Sequence, residues 1–233
     1  MKVVVVDHVD GAARARGIAL VIDVFRAFTV APHAVAAGGA RVLPVGAIED
    51  ALALRARIPG VLLVGERHAR RLPGFDAGNS PTEVLALGVA GRVVAHTTHA
   101  GTQGLVGASG ADEVLAASLV NVSALARYVR ARAPAELTIV RMGHEARERC
   151  DEDDLCAEAL LGLLEGRPPP TTAQARARLR GAPSAAKFFD PACDWAPQTD
   201  FDHCTEVDRF DFVLRLRTGA DGLRELERVE VPA

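Results

Sequence analysis

The sequence is short of lysine, cysteine and long hydrophobic runs, and each shortage excludes a class of protein. Only Lys2 and Lys187 are lysines, and a net charge of −3 at pH 7 gives no basic field to hold a nucleic acid. The run of valines before Asp7 is too short for a membrane span or for the apolar part of a signal peptide. We therefore expect a cytoplasmic protein with neither a nucleic-acid partner nor a membrane partner.

The cysteines are few and lack the paired close spacing of a zinc site or a disulfide framework. A chain of 233 residues with 49% hydrophobic residues can bury a core without such staples. We predict reduced thiols and a single domain over residues 1–233.

The alternation of apolar and amphipathic segments predicts an α/β fold. Short runs rich in valine, isoleucine and leucine alternate with alanine-rich helical stretches, which is typical of βαβ units around a mainly parallel sheet. Strands are predicted at residues 3–6, 18–24, 41–45, 61–65, 93–96, 113–115, 137–142 and about 210–216. Helices are predicted at residues 47–58, 121–132 (with a capping asparagine), 151–164 and 173–179, and an irregular stretch is predicted up to Asp202.

The segment from Ser80 to Glu83 carries the clearest local signal for a helix start. Serine can cap a helix, proline suits its first position, and Glu83 can reach back to complete a capping box. The preceding loop, from Gly74 to Pro81, combines two glycines with Asn79 and so predicts exposed amides that can bind a ligand. A plain connecting turn is the alternative.

Polar residues collect where the predicted strands end. Ligands of open α/β sheets lie beyond the carboxyl ends of the strands, because the crossover loops gather there. Carboxylates at such an edge suit Mg²⁺, and arginines suit phosphate. As alternatives, Asp23 could cap a helix, and Glu66 with Arg67 could form a solvated ion pair. The candidates are Asp23, Arg26, Glu66, Arg67, Glu152 and Asp153.

A threonine-rich loop follows the predicted strand at residues 93–96. Its three hydroxyls and one glycine, in TTHAGT, resemble a phosphate-binding nest, although the signal is weak alone. His96 and His99 are secondary candidates for acid and base, and a structural role is the alternative for both.

Taken in order, the segments VIDVFRAFT, GER, GFDAGNSPTE, TTHAGTQGL, NVSA and EDDLCAEAL resemble the 2-phosphosulfolactate phosphatase family. The resemblance covers residues 1–165 and implies a three-layer α/β/α fold with a mixed sheet, and a homodimer. It also implies Mg²⁺-dependent hydrolysis of a small phosphorylated and sulfonated metabolite. Sulfolactate chemistry would belong to coenzyme M biosynthesis where that pathway exists.

The resemblance assigns roles to individual residues. The catalytic residues would be Asp23, Arg26, Glu66 and Arg67, and the metal ligands would be Asp23, Glu66, Glu152 and Asp153. The substrate-binding residues would be Asn79, Thr97, Thr98, Gly101, Thr102 and Asn121.

Two segments depart from the family's pattern. The family's loop usually reads TTTNGT where this chain has TTHAGT, and its Cys-Ala-Gly is here Arg141-Met142-Gly143. Both departures concern the expected substrate pocket, so two alternatives stay open: a phosphatase for another small organophosphate, and a non-catalytic binding module. Direct attack by water and an aspartyl phosphate on Asp23 are also both open.

Overall fold

The computed structural model describes residues 1–232 and divides the strands between two sheets. The strands are β1 (Lys2–Asp7), β2 (Ile18–Ile22), β3 (Arg41–Pro44), β4 (Leu62–Arg67), β5 (Arg70–Arg71), β6 (Val93–Thr97), β7 (Glu113–Ala117), β8 (Glu136–Arg141), β9 (Phe212–Thr218) and β10 (Arg224–Glu230). The helices are α1 (His8–Ala13), α2 (Ala27–Ala36), α3 (Ile48–Arg57), α4 (Pro81–Ala86), α5 (Gly101–Gly107), α6 (Val122–Arg132), α7 (Asp151–Leu164), α8 (Thr172–Leu179) and α9 (Gln198–Cys204). Short 3₁₀ helices cover Leu119–Asn121 and Pro183–Phe188.

Parallel pairing dominates both sheets. The larger sheet has the order β1-β8-β2-β7-β9-β10, in which the first four strands are parallel and β9 and β10 form an antiparallel hairpin. The smaller sheet has the order β3-β6-β4-β5, and only the two-residue β5 is antiparallel. The predicted α/β class with mainly parallel, mixed pairing is confirmed, with two sheets where the sequence suggested one.

β2 explains how the sheets share a core. All five of its residues are buried, and successive side chains enter different hydrophobic clusters. Ile18, Leu20 and Ile22 pack with α6 and α7, because side chains alternate between the faces of a strand. Ala19 and Val21 instead join the cluster that includes α2 and one face of the smaller sheet. The carboxyl end of β2 therefore lies where both sheets and their helices meet.

The sequence signals for where helices begin and end are partly confirmed. α7 begins and ends as predicted, and Ser80 caps α4 through a hydrogen bond of 3.1 Å that the Glu83 amide donates to its hydroxyl. The second half of the predicted capping box is wrong, because the Glu83 carboxylate accepts from the Gly78 amide at 2.6 Å. The predicted cap on α6 is also wrong, since the Asn121 side chain makes no capping bond.

The carboxyl-terminal segment contains elements that the sequence did not predict. α9 begins within the stretch predicted to be irregular, and β10 extends the larger sheet beyond β9. β10 has five charged residues and only two aliphatic ones, and its Glu227 pairs with Arg215 of β9 at 2.7 Å. Such a charged strand gives almost no hydrophobic pattern.

All four cysteines are free, as predicted. No helix of residues 1–232 has the length and apolarity to cross a membrane.

Candidate active site

A narrow cleft lies at the carboxyl ends of β2, β4 and β8, where loops from both sheets converge. The predicted site residues that line it are Asp23, Arg26, Glu66, Asn79, Glu152 and Asp153. The polar residues that line it without having been assigned a role from the resemblance are His99, His144, Glu145, Cys150 and Lys187. The cleft is thus lined by five carboxylates and by two cationic side chains, those of Arg26 and Lys187.

Asp23 occupies the turn between β2 and α2. Its Oδ1 accepts from the Ala27 amide at 3.1 Å and its Oδ2 from the Gly101 amide at 2.8 Å, so the amino ends of two helices hold it. Burial, aided by the charge of Glu66 and opposed by the hydrogen bonds from the two amides, raises the pKa of Asp23 to about 6. A carboxylate with this pKa can accept a proton near neutral pH.

Asp153 faces Asp23 from the first turn of α7. It ties two strand ends together, because Oδ1 accepts from the Val24 amide at 2.9 Å and Oδ2 from the Gly143 amide at 2.8 Å. Burial raises the pKa of Asp153 well above its usual range, and the charges of Asp23 and Glu152 add to the effect. The raised pKa values show that this cluster favours an added positive charge.

Glu66 is buried near the carboxyl end of β4 and organises the neighbouring loops. Its Oε1 accepts from the His99 amide at 2.7 Å and its Oε2 from the Ala69 amide at 2.8 Å. Glu152, which is buried at the start of α7, accepts from the Ser184 hydroxyl at 2.5 Å. Both carboxylates therefore have fixed positions at the cleft.

Arg26 is held from the far end of the chain. Its Nη1 donates to Asp200 of α9 at 2.6 Å and to the Trp195 carbonyl at 3.0 Å, and its side chain is only 2% exposed. Asp200 also accepts from the Ser80 hydroxyl at 2.8 Å. No sequence pattern singled out Asp200, because it lies in a stretch without clear periodicity.

Lys187 is the second cationic side chain of the cleft and was missed as a site residue. It projects from the 3₁₀ helix Pro183–Phe188, and its Nζ lies 5.1 Å from the ring centre of Phe188. Burial and the neighbouring charge of Arg26 lower the pKa of Lys187. The only signal in the sequence was its rarity, since Lys2 is the one other lysine.

Cys150 lines the cleft immediately before α7. A helix dipole at that end would favour a thiolate, but burial raises the pKa of Cys150, and the charges of Asp153 and Glu152 raise it further. The thiol is therefore neutral and is not a nucleophile in this arrangement.

Arg67 and the threonine-rich loop lie beside the cleft rather than along it. Arg67 donates to the carbonyls of Glu66 and Gly46 at 2.7 and 3.1 Å and to the Thr97 hydroxyl at 3.1 Å. Burial lowers the pKa of Arg67. In this geometry it joins β4 to β6, and its predicted catalytic role stays a prediction.

The other predicted binding residues have structural contacts in the described chain. Thr98 and Thr102 bond to each other, with the Thr98 amide donating to the Thr102 hydroxyl at 2.8 Å, and Gly101 supports Asp23. The side-chain Nδ2 of Asn121 donates to the Phe212 carbonyl at 3.3 Å, and its side-chain Oδ1 is buried without a partner among the described residues. Substrate contact by these four residues stays a prediction.

His96 and Asn79 form a buried pair behind the cleft. His96 Nε2 lies 3.1 Å from Asn79 Oδ1, and burial lowers the pKa of His96 to about 4. The ring is therefore neutral at physiological pH and serves to hold Asn79, which reaches the cleft.

The predicted metal ligands were compared with the needs of Mg²⁺. In residues 1–232, no three of Asp23, Glu66, Glu152 and Asp153 bring their oxygens within 4.8 Å of one another. Mg²⁺ in enzymes commonly takes only one or two carboxylates and completes its shell with water and phosphate oxygens. Hard oxygen ligands and two raised carboxylate pKa values therefore fit such an ion, held by two of these residues.

Comparison with known proteins gives one consistent family. The sequence profile of the family described as 2-phosphosulpholactate phosphatase matches residues 4–219. A protein of Bacillus subtilis (strain 168) named "Probable 2-phosphosulfolactate phosphatase" is 30% identical over 211 residues, which are 90% of this chain and 91% of that protein. A protein of Deinococcus radiodurans with the same name is 45% identical over 150 residues, or 63% of this chain and 62% of that protein.

Proposed function

Because the chain belongs to the 2-phosphosulfolactate phosphatase family, a family of phosphoric monoester hydrolases, we propose that it hydrolyses 2-phosphosulfolactate to sulfolactate and phosphate with the help of Mg²⁺. The observation that carries the proposal is the composition of the cleft. Buried carboxylates and two cationic side chains converge there at the carboxyl edge of the parallel strands.

The charge balance of the cleft supports a divalent cation. Five carboxylates line the cleft together with Arg26 and Lys187, so a bound divalent cation would reduce the repulsion that a phosphate dianion meets there. Two of Glu66, Glu152 and Asp153 would hold Mg²⁺, which would offset charge on the phosphoryl group and polarise it, and Asp23 would stay free to accept a proton.

Arg26 and Lys187 would bind the phosphoryl oxygens. Asp200 and the Trp195 carbonyl fix the guanidinium of Arg26, so its geometry is set before the substrate arrives. The positive charge of Arg26 adds to the effect of burial and lowers the pKa of Lys187 further. A bound phosphate would offset this repulsion between the two cations.

Asp23 would act as the general base for direct attack by water. Its raised pKa of about 6 suits proton transfer near neutral pH. The water oxygen would form a bond to phosphorus while the bond between phosphorus and the ester oxygen breaks, and Asp23 would take the proton of the water. The sulfolactate oxygen would leave with a proton from solvent. Trapping an aspartyl phosphate by rapid quench during turnover would contradict this sequence of steps.

The test of the proposed function is phosphate release from 2-phosphosulfolactate, with Mg²⁺ present or chelated. Lys187→Met should lower kcat/KM by about 10²-fold or more, because it removes a charge that binds the transferred group. Lys2→Met is the matched control, since Lys2 is the other lysine and pairs with Glu136 on the surface. A folded protein that releases no phosphate in Mg²⁺, or a Lys187→Met variant with unchanged kcat/KM, would refute the proposal.

A second candidate is hydrolysis of a different small organophosphate. The observation that favours it is the lining of the cleft by His99, which lies in one of the two segments that depart from the family's usual pattern, and by His144 and Glu145, which directly follow the other. These residues would contact the part of the substrate beyond the phosphate. A panel with phosphosulfolactate, phospholactate and unsulfonated analogues distinguishes the two, because the preferred ester is the one with the highest kcat/KM.

We also propose a homodimer formed through β1. This strand is an edge of the larger sheet, and its Val3 and Val5 are 38% and 37% exposed, as is Val9 of α1 at 38%. An exposed edge strand with apolar side chains favours pairing with another chain. A second copy would cover this strand by the same surface on both subunits.

A further inference from the structure

His68, His99 and Glu145 form a cluster at the opening of the cleft, apart from the carboxylates described above. His68 Nδ1 lies 2.6 Å from Glu145 Oε1, and the rings of His68 and His99 have their centres 4.9 Å apart. One ligand atom from each of the three side chains lies within 4.8 Å of the other two. We call these three residues the mouth cluster.

The hydrogen bond between His68 and Glu145 leaves one polar atom of the mouth cluster without a hydrogen-bond partner. His99 Nδ1 is buried and has no hydrogen-bond partner among the described residues, although the Glu66 carboxylate fixes the His99 backbone. A surface ion pair between His68 and Glu145 alone would leave this nitrogen unpaired, which is unfavourable for a buried polar atom. A cation bound between the three residues would give His99 Nδ1 a partner.

The ligand types of the mouth cluster differ from those of the carboxylates deeper in the cleft. Two imidazoles and one carboxylate are a ligand set of catalytic zinc sites, which hold the ion about 2.1 Å from each donor and leave a further position open. Imidazole nitrogen suits borderline transition metals, whereas Mg²⁺ prefers oxygen. Small rotations of exposed side chains can bring the donors to that distance, since His68 is 71% exposed.

The electrostatics of the mouth cluster agree with cation binding. The hydrogen bond from His68 lowers the pKa of Glu145, and the nearby His99 and His144 add to the effect, so Glu145 carries its charge. His99 and Glu145 line the cleft while His68 lies on its outer side. An open position on the ion would therefore face the cleft.

We propose that His68, His99 and Glu145 bind a divalent transition-metal ion such as Zn²⁺, and that its open coordination position takes an anionic group of the substrate distant from the phosphate. This would be a second metal centre with ligands other than those proposed for Mg²⁺, and its contact with the substrate rests on the proposed function. His99 is also one of the residues by which TTHAGT differs from TTTNGT, so the site would be a property of this chain.

The test measures metal binding without reference to catalysis. The full chain, stripped with a chelator, is titrated with Zn²⁺ by calorimetry in the presence of excess Mg²⁺ to occupy oxygen sites. Co²⁺ then replaces Zn²⁺, because its visible absorption reports nitrogen ligands and coordination number. We expect one Zn²⁺ per chain, at least about 10-fold weaker binding in His68→Gln, His99→Asn and Glu145→Gln, and a loss of the Co²⁺ band.

The controls separate the mouth cluster from other sites. His144→Ala removes an exposed imidazole next to Glu145 and should leave Zn²⁺ binding unchanged, and Asp23→Asn should do the same. His68→Gln alters an exposed side chain, so its fold is safe and its circular dichroism should match the native chain. Native affinity in His68→Gln and Glu145→Gln, displacement of Zn²⁺ by Mg²⁺, or no binding at all would overturn the proposal. Phosphate release with Mg²⁺ alone is assayed separately, so either proposal can fail without the other.

Discussion

Replacement of Asp200 by asparagine should cost the protein a large part of its stability. Asp200 is fully buried and accepts from Arg26 Nη1 at 2.6 Å through one oxygen, and from the Ser80 hydroxyl and the Thr82 amide through the other. Both carboxylate oxygens are acceptors, so an asparagine in either orientation turns an NH₂ group toward a donor. The Arg26 guanidinium, 2% exposed, also loses its counter-charge.

Breaking a buried ion pair from one side typically costs about 3–5 kcal/mol. For a chain of this length, that loss corresponds to a fall in Tm of roughly 6–20 °C. Urea unfolding followed by circular dichroism measures the first quantity, and a thermal scan measures the second. Asp202→Asn is the matched control, because Asp202 is 46% exposed and lies 3.6 Å from Arg176, so it should cost less than about 0.5 kcal/mol.

A double-mutant cycle isolates the ion pair from the other contacts of Asp200. Arg26→Met should cost at least about 1 kcal/mol less in the Asp200→Asn background than in the native chain, since the charge is already unpaired there. A loss below about 1 kcal/mol in Asp200→Asn, or additive effects in the cycle, would refute the reasoning.

Three further predictions concern Asp23, its glycine neighbour and the edge strand. The folded-state pKa of Asp23, about 6, lies above its ordinary value of 3.8, so the folded protein binds more protons than the unfolded protein between those values. The stability of the metal-free protein therefore falls as pH rises through that window. In urea unfolding with a chelator present, the free energy of unfolding of Asp23→Asn should fall by up to about 3 kcal/mol less over this pH window than that of the native chain. Equal dependence on pH in the two proteins would contradict this prediction. Gly101→Ala should destabilise by about 1–3 kcal/mol and abolish turnover, because a Cβ would lie 2.7 Å from Asp23 Oδ2, whereas Gly181→Ala, whose Cβ meets nothing within 4 Å, should do neither in the same assays. Val5→Lys should convert a dimer to a monomer in light scattering after size exclusion, and a native chain that is already monomeric would reject the proposed interface.

The sequence predicted the part of the site that lies at strand ends. Asp23 and Glu66 follow buried runs directly, and parallel strands bring their carboxyl ends to one edge, so both could be assigned to a common cleft. Asp153 could be placed there because α7 begins with an acidic turn that meets the same edge. These inferences needed only local patterns and one general rule of α/β folds.

The remainder of the site depends on contacts that local patterns do not encode. Lys187 lies on a 3₁₀ helix and Asp200 on a seven-residue helix, and neither element has a periodicity that marks it. Arg67 has the right position in the sequence, but its side chain turns to Gly46 and Thr97 instead of the cleft. The direction of a long side chain is decided by tertiary packing, which the spacing of residues does not reveal.

The bond between Arg26 and Asp200 also sets an order of events during synthesis. The two residues are 174 positions apart. At a translation rate of about 5–20 residues per second, Arg26 is made roughly 9–35 s before its counter-charge. The nascent chain must therefore keep this guanidinium in water while β2 and the strands around it are already available to pair. A ribosome-bound chain that ends before α9 would lack β9 and β10 as well as Asp200, so one edge of the larger sheet and the Arg26 side of the cleft would both be completed last.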